Sequence, residues 1–140
     1  MAKAIDEAVY GVLTADKGGG SFYKNIGGRV SAIYGDPGDV YPLCVYEQTG
    51  SDITPLFGGK LMHRETYDVR IVGRWEDGAA AVGELGDSVV ALFNGSSDAT
   101  VTDYDKATFT IVSGSDIDRS DDLLTATVQV MVEATQLTGL

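Results

Sequence analysis

Few side chains in this sequence have the chemistry of a reactive centre, and their spacing decides what each can do. His63 is the one histidine. A catalytic relay or a zinc centre needs an imidazole with partners placed around it, and the count alone excludes multi-histidine metal sites. At the start of an alternating stretch, His63 reads as a solvated strand end. Cys44 is the one cysteine. It can form no internal disulfide, has no basic neighbour in sequence to stabilise a thiolate, and lies in the apolar run Leu43–Tyr46, so it reads as a small core residue. The segment Asp116-Ile117-Asp118-Arg119-Ser120-Asp121-Asp122 spaces its carboxylates faintly like a calcium loop. It lacks the central glycine and the closing bidentate glutamate of an EF-hand. The expectation is a solvated hairpin turn, with a weak divalent site shared with a neighbouring subunit as the alternative. Glu84 and Asp87 would need burial before they could do acid–base work, and they fall on the polar side of a helix. Gly18-Gly19-Gly20 has no strand before it and no Gly-Lys-Ser/Thr ending, so it is not a phosphate cradle. Nowhere does a nucleophile stand with a base and an orienting group. The sequence reads as that of a non-enzyme that needs no cofactor and no metal.

Ile53, Leu56 and Phe57 are a different kind of candidate. Three large apolar side chains fall in Thr49–Gly59, which reads as a loop too long for a tight hairpin. Either the loop folds back on its own core, or it is a protein-binding arm, since exposed apolar clusters mark contact surfaces. Ile53, Leu56 and Phe57 are therefore the candidate interface residues.

The elements around these residues follow from periodicity. Residues 2–16 carry Ile5, Val9, Val12 and Leu13 at helical spacing, with Lys17 and the triple glycine as a stop. A loop runs to Gly28. Arg29–Tyr34 reads as a short strand, Gly35–Tyr41 as a turn centred on Pro37-Gly38, and Pro42–Gln48 as a strand. Lys60–Trp75 alternates over its whole length. Tyr67, Val69, Ile71 and Trp75 fall on one face, and Thr66, Asp68, Arg70 and Arg74 on the other. Asp77–Asn94 reads as a second helix with Asp77 as N-cap, a buried stripe of Val82, Leu85, Val89, Leu92 and Phe93, and Gly83 and Gly86 permitting close packing. Ala107–Ser113 and Leu123–Gln136 alternate and form a hairpin around the acidic turn Gly114–Asp122. The order predicts an α+β domain over residues 1–140, an antiparallel sheet with two helices packed on one face.

Composition excludes several classes of partner. Of 140 residues, 44% are apolar and 22% charged, which suits a globular core. Asp and Glu number 21 against 10 Lys and Arg, a formal charge of −11. A phosphate-binding surface needs clustered cations, and none occur, which disfavours tight nucleic-acid binding and docking on anionic lipid. No run approaches the length of a membrane span. Asp6 and Glu7 interrupt the first apolar stretch, so no signal peptide is expected and the chain is expected to be made and kept in a cytoplasm until assembled.

With the elements in order, the chain from about residue 4 to 136 resembles the tail terminator (tail completion) proteins of long-tailed bacteriophages. The resemblance rests on Gly27-Gly28-Arg29-Val30 after the first helix, then on Tyr41-Pro42-Leu43-Cys44-Val45-Tyr46 after a proline-containing turn. It continues in Tyr67-Asp68-Val69-Arg70-Ile71 in the long strand and Val89, Val90 and Leu92 in the second helix. Val128, Val130 and Val132 follow the Arg119-Ser120-Asp121 turn. Each motif is weak alone, and their order and spacing carry the resemblance. It implies a structural virion protein at the neck of the particle, present in the host cytoplasm before assembly. It implies a hexameric ring that caps the tail tube, ends its polymerisation and offers a surface to the head–tail connector. DNA would cross the ring without specific binding, which an acidic lining favours. A head-closure or connector-adaptor neck protein is the alternative within that setting, and a small α+β ligand-binding domain the alternative outside it.

Overall fold

The computed structural model describes residues 3–15, 22–32, 40–94, 104–105 and 107–136. Helix α1 (Lys3–Leu13) buries Ile5, Val9, Val12 and Leu13 and turns Glu7 and Tyr10 outward. A four-residue helix, α2 (Phe22–Asn25), forms where the sequence suggests only loop. Phe22 and Ile26, four apart, are both buried, and the Ile26 N–H donates to the Phe22 carbonyl at 3.0 Å. So short a helix cannot show itself as a period in the sequence. Gly27 and Gly28 end it with φ of 67° and 71°, left-handed values that suit glycine.

Five strands form one sheet in the order β1-β2-β3-β5-β4. They are β1 (Val30–Ala32), β2 (Leu43–Pro55), β3 (Leu61–Arg74), β4 (Thr108–Ser120) and β5 (Leu123–Thr135). Every pairing is antiparallel except that of the short edge strand β1 with β2. The long helix α3 (Ala79–Asn94) packs on β3, β4 and β5, and α1 lies beside it toward β1. The expected α+β arrangement forms, except that the short strand expected at Arg29–Tyr34 pairs in parallel at the edge of a sheet otherwise antiparallel.

The register explains the core. Tyr46 pairs with Val69 and Val69 with Val128, all buried beneath the helices. One residue along, Glu47 pairs with Asp68 and Asp68 with Gln129, on the opposite face. Along β5 burial alternates without a break from Leu124 to Ala134. Such alternation marks a sheet covered on one side and open on the other. Three hydrogen bonds hold α1 and the β1 edge in place. The Tyr67 hydroxyl donates to Asp6 Oδ1. Arg29 Nε donates to the Pro42 carbonyl at 2.8 Å, while the Cys44 N–H donates to the Arg29 carbonyl at 2.8 Å. The Gly27–Val30 and Tyr41–Tyr46 segments are thus joined side by side.

Several sequence expectations need correction. Thr49–Gly59 is not a loop: β2 runs on to Pro55 and the turn is confined to Leu56–Lys60. Gly50 and Pro55 argue against a strand locally, but pairing with β3 overrides them through a bulge between Gln48 and Gly50. Gly114–Asp122 is not a turn either. β4 extends to Ser120, and Asp121 and Asp122 alone form the turn, Asp121 with φ of 53°. Trp75 leaves the core face and stands half exposed in a 3₁₀ turn, Trp75–Asp77. Asp77 lies in that turn and does not cap α3, which opens at Ala79 after Gly78. Leu92 is only partly buried against the core. The stop at Lys17–Gly20 and the Pro37-Gly38 turn lie outside the described residues.

Candidate assembly surface

The β2–β3 hairpin tip is exposed from Pro55 to Lys60. Pro55 pairs with Leu61, and the Leu56 N–H donates to the Lys60 carbonyl at 2.8 Å to close the turn. Gly58 and Gly59 have φ of 81° and 77°. This left-handed pair lets the chain reverse while Phe57 points away from it. Phe57 is fully exposed, and Ile53 and Leu56 are 50% and 40% exposed. The three residues singled out in the sequence therefore share one end of the sheet, uncovered by their own chain. Leu56 and Phe57 flank Pro55 around a shallow apolar recess, while Ile53 stands on β2 opposite His63.

The opposite end of the sheet carries a second surface that sequence reasoning missed. Tyr41, Arg74, Trp75, Glu76, Asp122 and Leu123 line a cleft of about 650 Å³. The Trp75 N–H donates to the Asp122 carbonyl at 2.7 Å and ties the end of β3 to the β4–β5 turn. The Arg119 guanidinium sits 3.8 Å from the centre of the Trp75 ring, and Arg74 sits 5.3 Å from that of Tyr41. Both are cation–π distances. The sequence did hold a signal: Trp75 sits between Arg74 and Glu76-Asp77-Gly78, where charge and a turn glycine break the alternation.

The open face of the sheet is polar. Arg70 bonds Glu47 at 2.8 Å and Asp68 at 3.1 Å, and Gln129 donates to Asp68 at 3.3 Å. Beneath the tip, on the other face, lies a buried polar group. Glu65 is 1% exposed, accepts from Gln48 Nε2, and stands 3.7 Å from His63 Nδ1. His63 Nε2 lies 3.4 Å from the Tyr104 hydroxyl, and the two rings meet edge to face at 5.1 Å. His63 is thus a buried residue, not the solvated strand end expected. Tyr104 covers its ring, Glu65 stands beside it on β3, and Ala134 of β5 is its cross-strand partner.

Cys44 is buried, and burial pushes its thiol up to about 12, so no thiolate forms at neutral pH. Burial first, then the bond to Asp6, raises the Tyr67 hydroxyl above its ordinary value. Asp116 and Asp118 lie in an extended strand, and among the described residues no three His, Cys, Asp or Glu side chains gather where they could hold a metal ion. Glu84 and Asp87 are exposed on α3.

Comparison with known proteins gives a fold. The chain is similar to a chain of the virion of a native gene transfer agent particle, with a TM-score of 0.67 and 14% sequence identity. The likeness covers 96% of this chain and 95% of that one. No family model matches, and no curated protein matches. At this identity the likeness establishes the shared fold, end to end.

Proposed function

We propose that this chain is a structural protein of a phage-type virion, and within it the subunit that caps the tail tube. The observation that carries the reading is the end-to-end likeness to a chain of a gene transfer agent virion, a phage-like particle. The terminator-like segments support the finer role. Gly27–Val30 and Tyr41–Tyr46 meet side by side through Arg29 and Pro42. In this reading the chain works as a hexameric ring of identical subunits at the neck. One ring face copies the tube subunit's contact surface and the other does not, so growth stops and the connector can dock. The ring closes because the rotation from one subunit to the next returns to its start after six copies. Ile53, Leu56 and Phe57 are the contact residues for subunit or tube. The chemistry is surface complementarity, with no turnover, and the formal charge of −11 lets DNA cross the ring without adhering.

The test is particle assembly without the protein. Tubes of uncontrolled length beside filled, tailless heads support the reading. Tubes of normal length that fail to join heads assign the chain to head closure or connector adaptation instead, and normal infectious particles reject a virion role. Imaging the purified protein, alone and with tubes, checks six-fold symmetry.

A further inference from the structure

We infer that the β2–β3 tip of one copy seats in the Tyr41–Arg74–Trp75 cleft of the next copy of the same chain. This rests on the ring reading above and adds which surfaces meet. The tip is convex and apolar, with Phe57 fully exposed. The cleft is concave, holds about 650 Å³ and is walled by aromatic rings and guanidiniums. Trp, Tyr and Arg are the residue types that dominate binding energy at interfaces.

Charge selects a second copy as the occupant. Subunits with a formal charge of −11 must meet where carboxylates do not face carboxylates. From Pro55 to Met62, Lys60 is the one charged residue, and it is exposed. Around the cleft, Glu76, Asp121 and Asp122 outnumber Arg74 and Arg119. The tip is locally basic and the cleft locally acidic. The two surfaces also lie at opposite ends of β3, about 40 Å apart at the usual rise per residue. A contact between them uses one tip and one cleft of every subunit, which is the head-to-tail geometry that closes rings.

Sedimentation of wild type, Phe57→Asp, Trp75→Ala and their equimolar mixture tests the contact. Wild type should oligomerise, and each variant should associate about tenfold more weakly or worse. The mixture should give dimers and nothing larger, because only the Trp75→Ala tip and the Phe57→Asp cleft remain intact. Lys60→Glu should weaken assembly and Lys60→Glu with Glu76→Lys should restore it. Both aromatic residues are exposed, and unchanged far-UV circular dichroism and melting confirm that the variants fold. A Lys60→Cys/Glu76→Cys chain, which keeps both aromatic rings, should form a ladder of disulfide-linked multimers under an added oxidant, free or on purified tube ends. Variants that assemble like wild type, a mixture that stays monomeric, or a missing ladder overturns the inference. So does a tip variant that loses tube binding while subunits still join. Rings that form as described in particles that never needed them would reject the capping role and leave the contact standing.

Discussion

Gly73 lies directly under Val82: a methyl group added at Gly73 would come within 2.5 Å of Val82 Cγ2. The helix α3 therefore sits on the sheet at a distance set by a missing side chain, with Gly73 on β3 and Val82 one turn into the helix. Gly73→Ala should cost about 1–3 kcal/mol through overpacking. Adding Val82→Ala should recover part of that loss, since the clash is with the valine methyl. Urea denaturation of the two single variants and the double checks this. A strictly additive cycle would mean that the two positions do not touch.

Arg70 bridges two carboxylates that the register places side by side. Glu47 and Asp68 are direct cross-strand partners, and like charges opposite each other destabilise a sheet. The guanidinium bonds both, at 2.8 Å and 3.1 Å. Arg70→Ala should cost about 1 kcal/mol, the scale for a half-exposed pair. Glu47→Gln in the Arg70→Ala background should return most of it. Repeating the melts in high salt should shrink the Arg70→Ala effect, because screening weakens the repulsion that it unmasks.

How much of this was legible in the sequence depends on how far each residue's environment is local. Val128, Val130 and Val132 announce β5 because alternation and burial coincide there. Val82, Leu85, Val89 and Phe93 announce α3 in the same way. Ile53, Leu56 and Phe57 stood out because large apolar residues in a Gly- and Pro-bounded segment are unusual, and all three are exposed. The strand nature of Thr49–Pro55 and Gly114–Ser120 was not legible. Both are strand extensions held by pairing with a neighbour, and their own residues favour turns. The Trp75 cleft was missed because it joins residues from Tyr41, Arg74 and Asp122, which only the fold brings together.

High pH should unfold the protein early. Cys44 is raised from 9.0 to about 12 by burial, and Tyr67 is raised by burial and by its bond to Asp6. Both groups hold their protons in the folded state after the unfolded chain has lost them. Their stabilisation is complete below the unfolded values and falls as pH rises through the folded ones. From pH 9 upward Cys44 should remove up to about 1.4 kcal/mol per pH unit, with Tyr67 adding to the slope beyond its ordinary value near 10. Cys44→Ala should flatten the curve between pH 9 and 10 and reduce the slope above pH 10 to the part that Tyr67 supplies. Chemical denaturation at stepped pH measures both slopes, and an unchanged slope in Cys44→Ala would show that the thiol ionises freely.

The buried group under the tip should be needed for stability. Glu65 is 1% exposed, and its oxygens face Gln48 and, at 3.7 Å, His63. Removing the imidazole takes away a polar neighbour from the carboxyl group and an edge-to-face partner from Tyr104. Losing one partner of a buried polar pair costs more than the pair itself contributes, because the other group stays desolvated. His63→Ala should therefore cost about 2–4 kcal/mol. Glu84→Ala, on the exposed side of α3, should stay within about 0.5 kcal/mol of wild type. Replacing both members as His63→Phe with Glu65→Leu should recover part of the loss, since the two buried polar groups leave together and Gln48 Nε2 keeps the Gly50 carbonyl at 3.3 Å. Equilibrium unfolding distinguishes the cases. If His63→Ala were as mild as Glu84→Ala, the imidazole would have to reach solvent, against the burial and the ring contact that hold it between β3 and Tyr104.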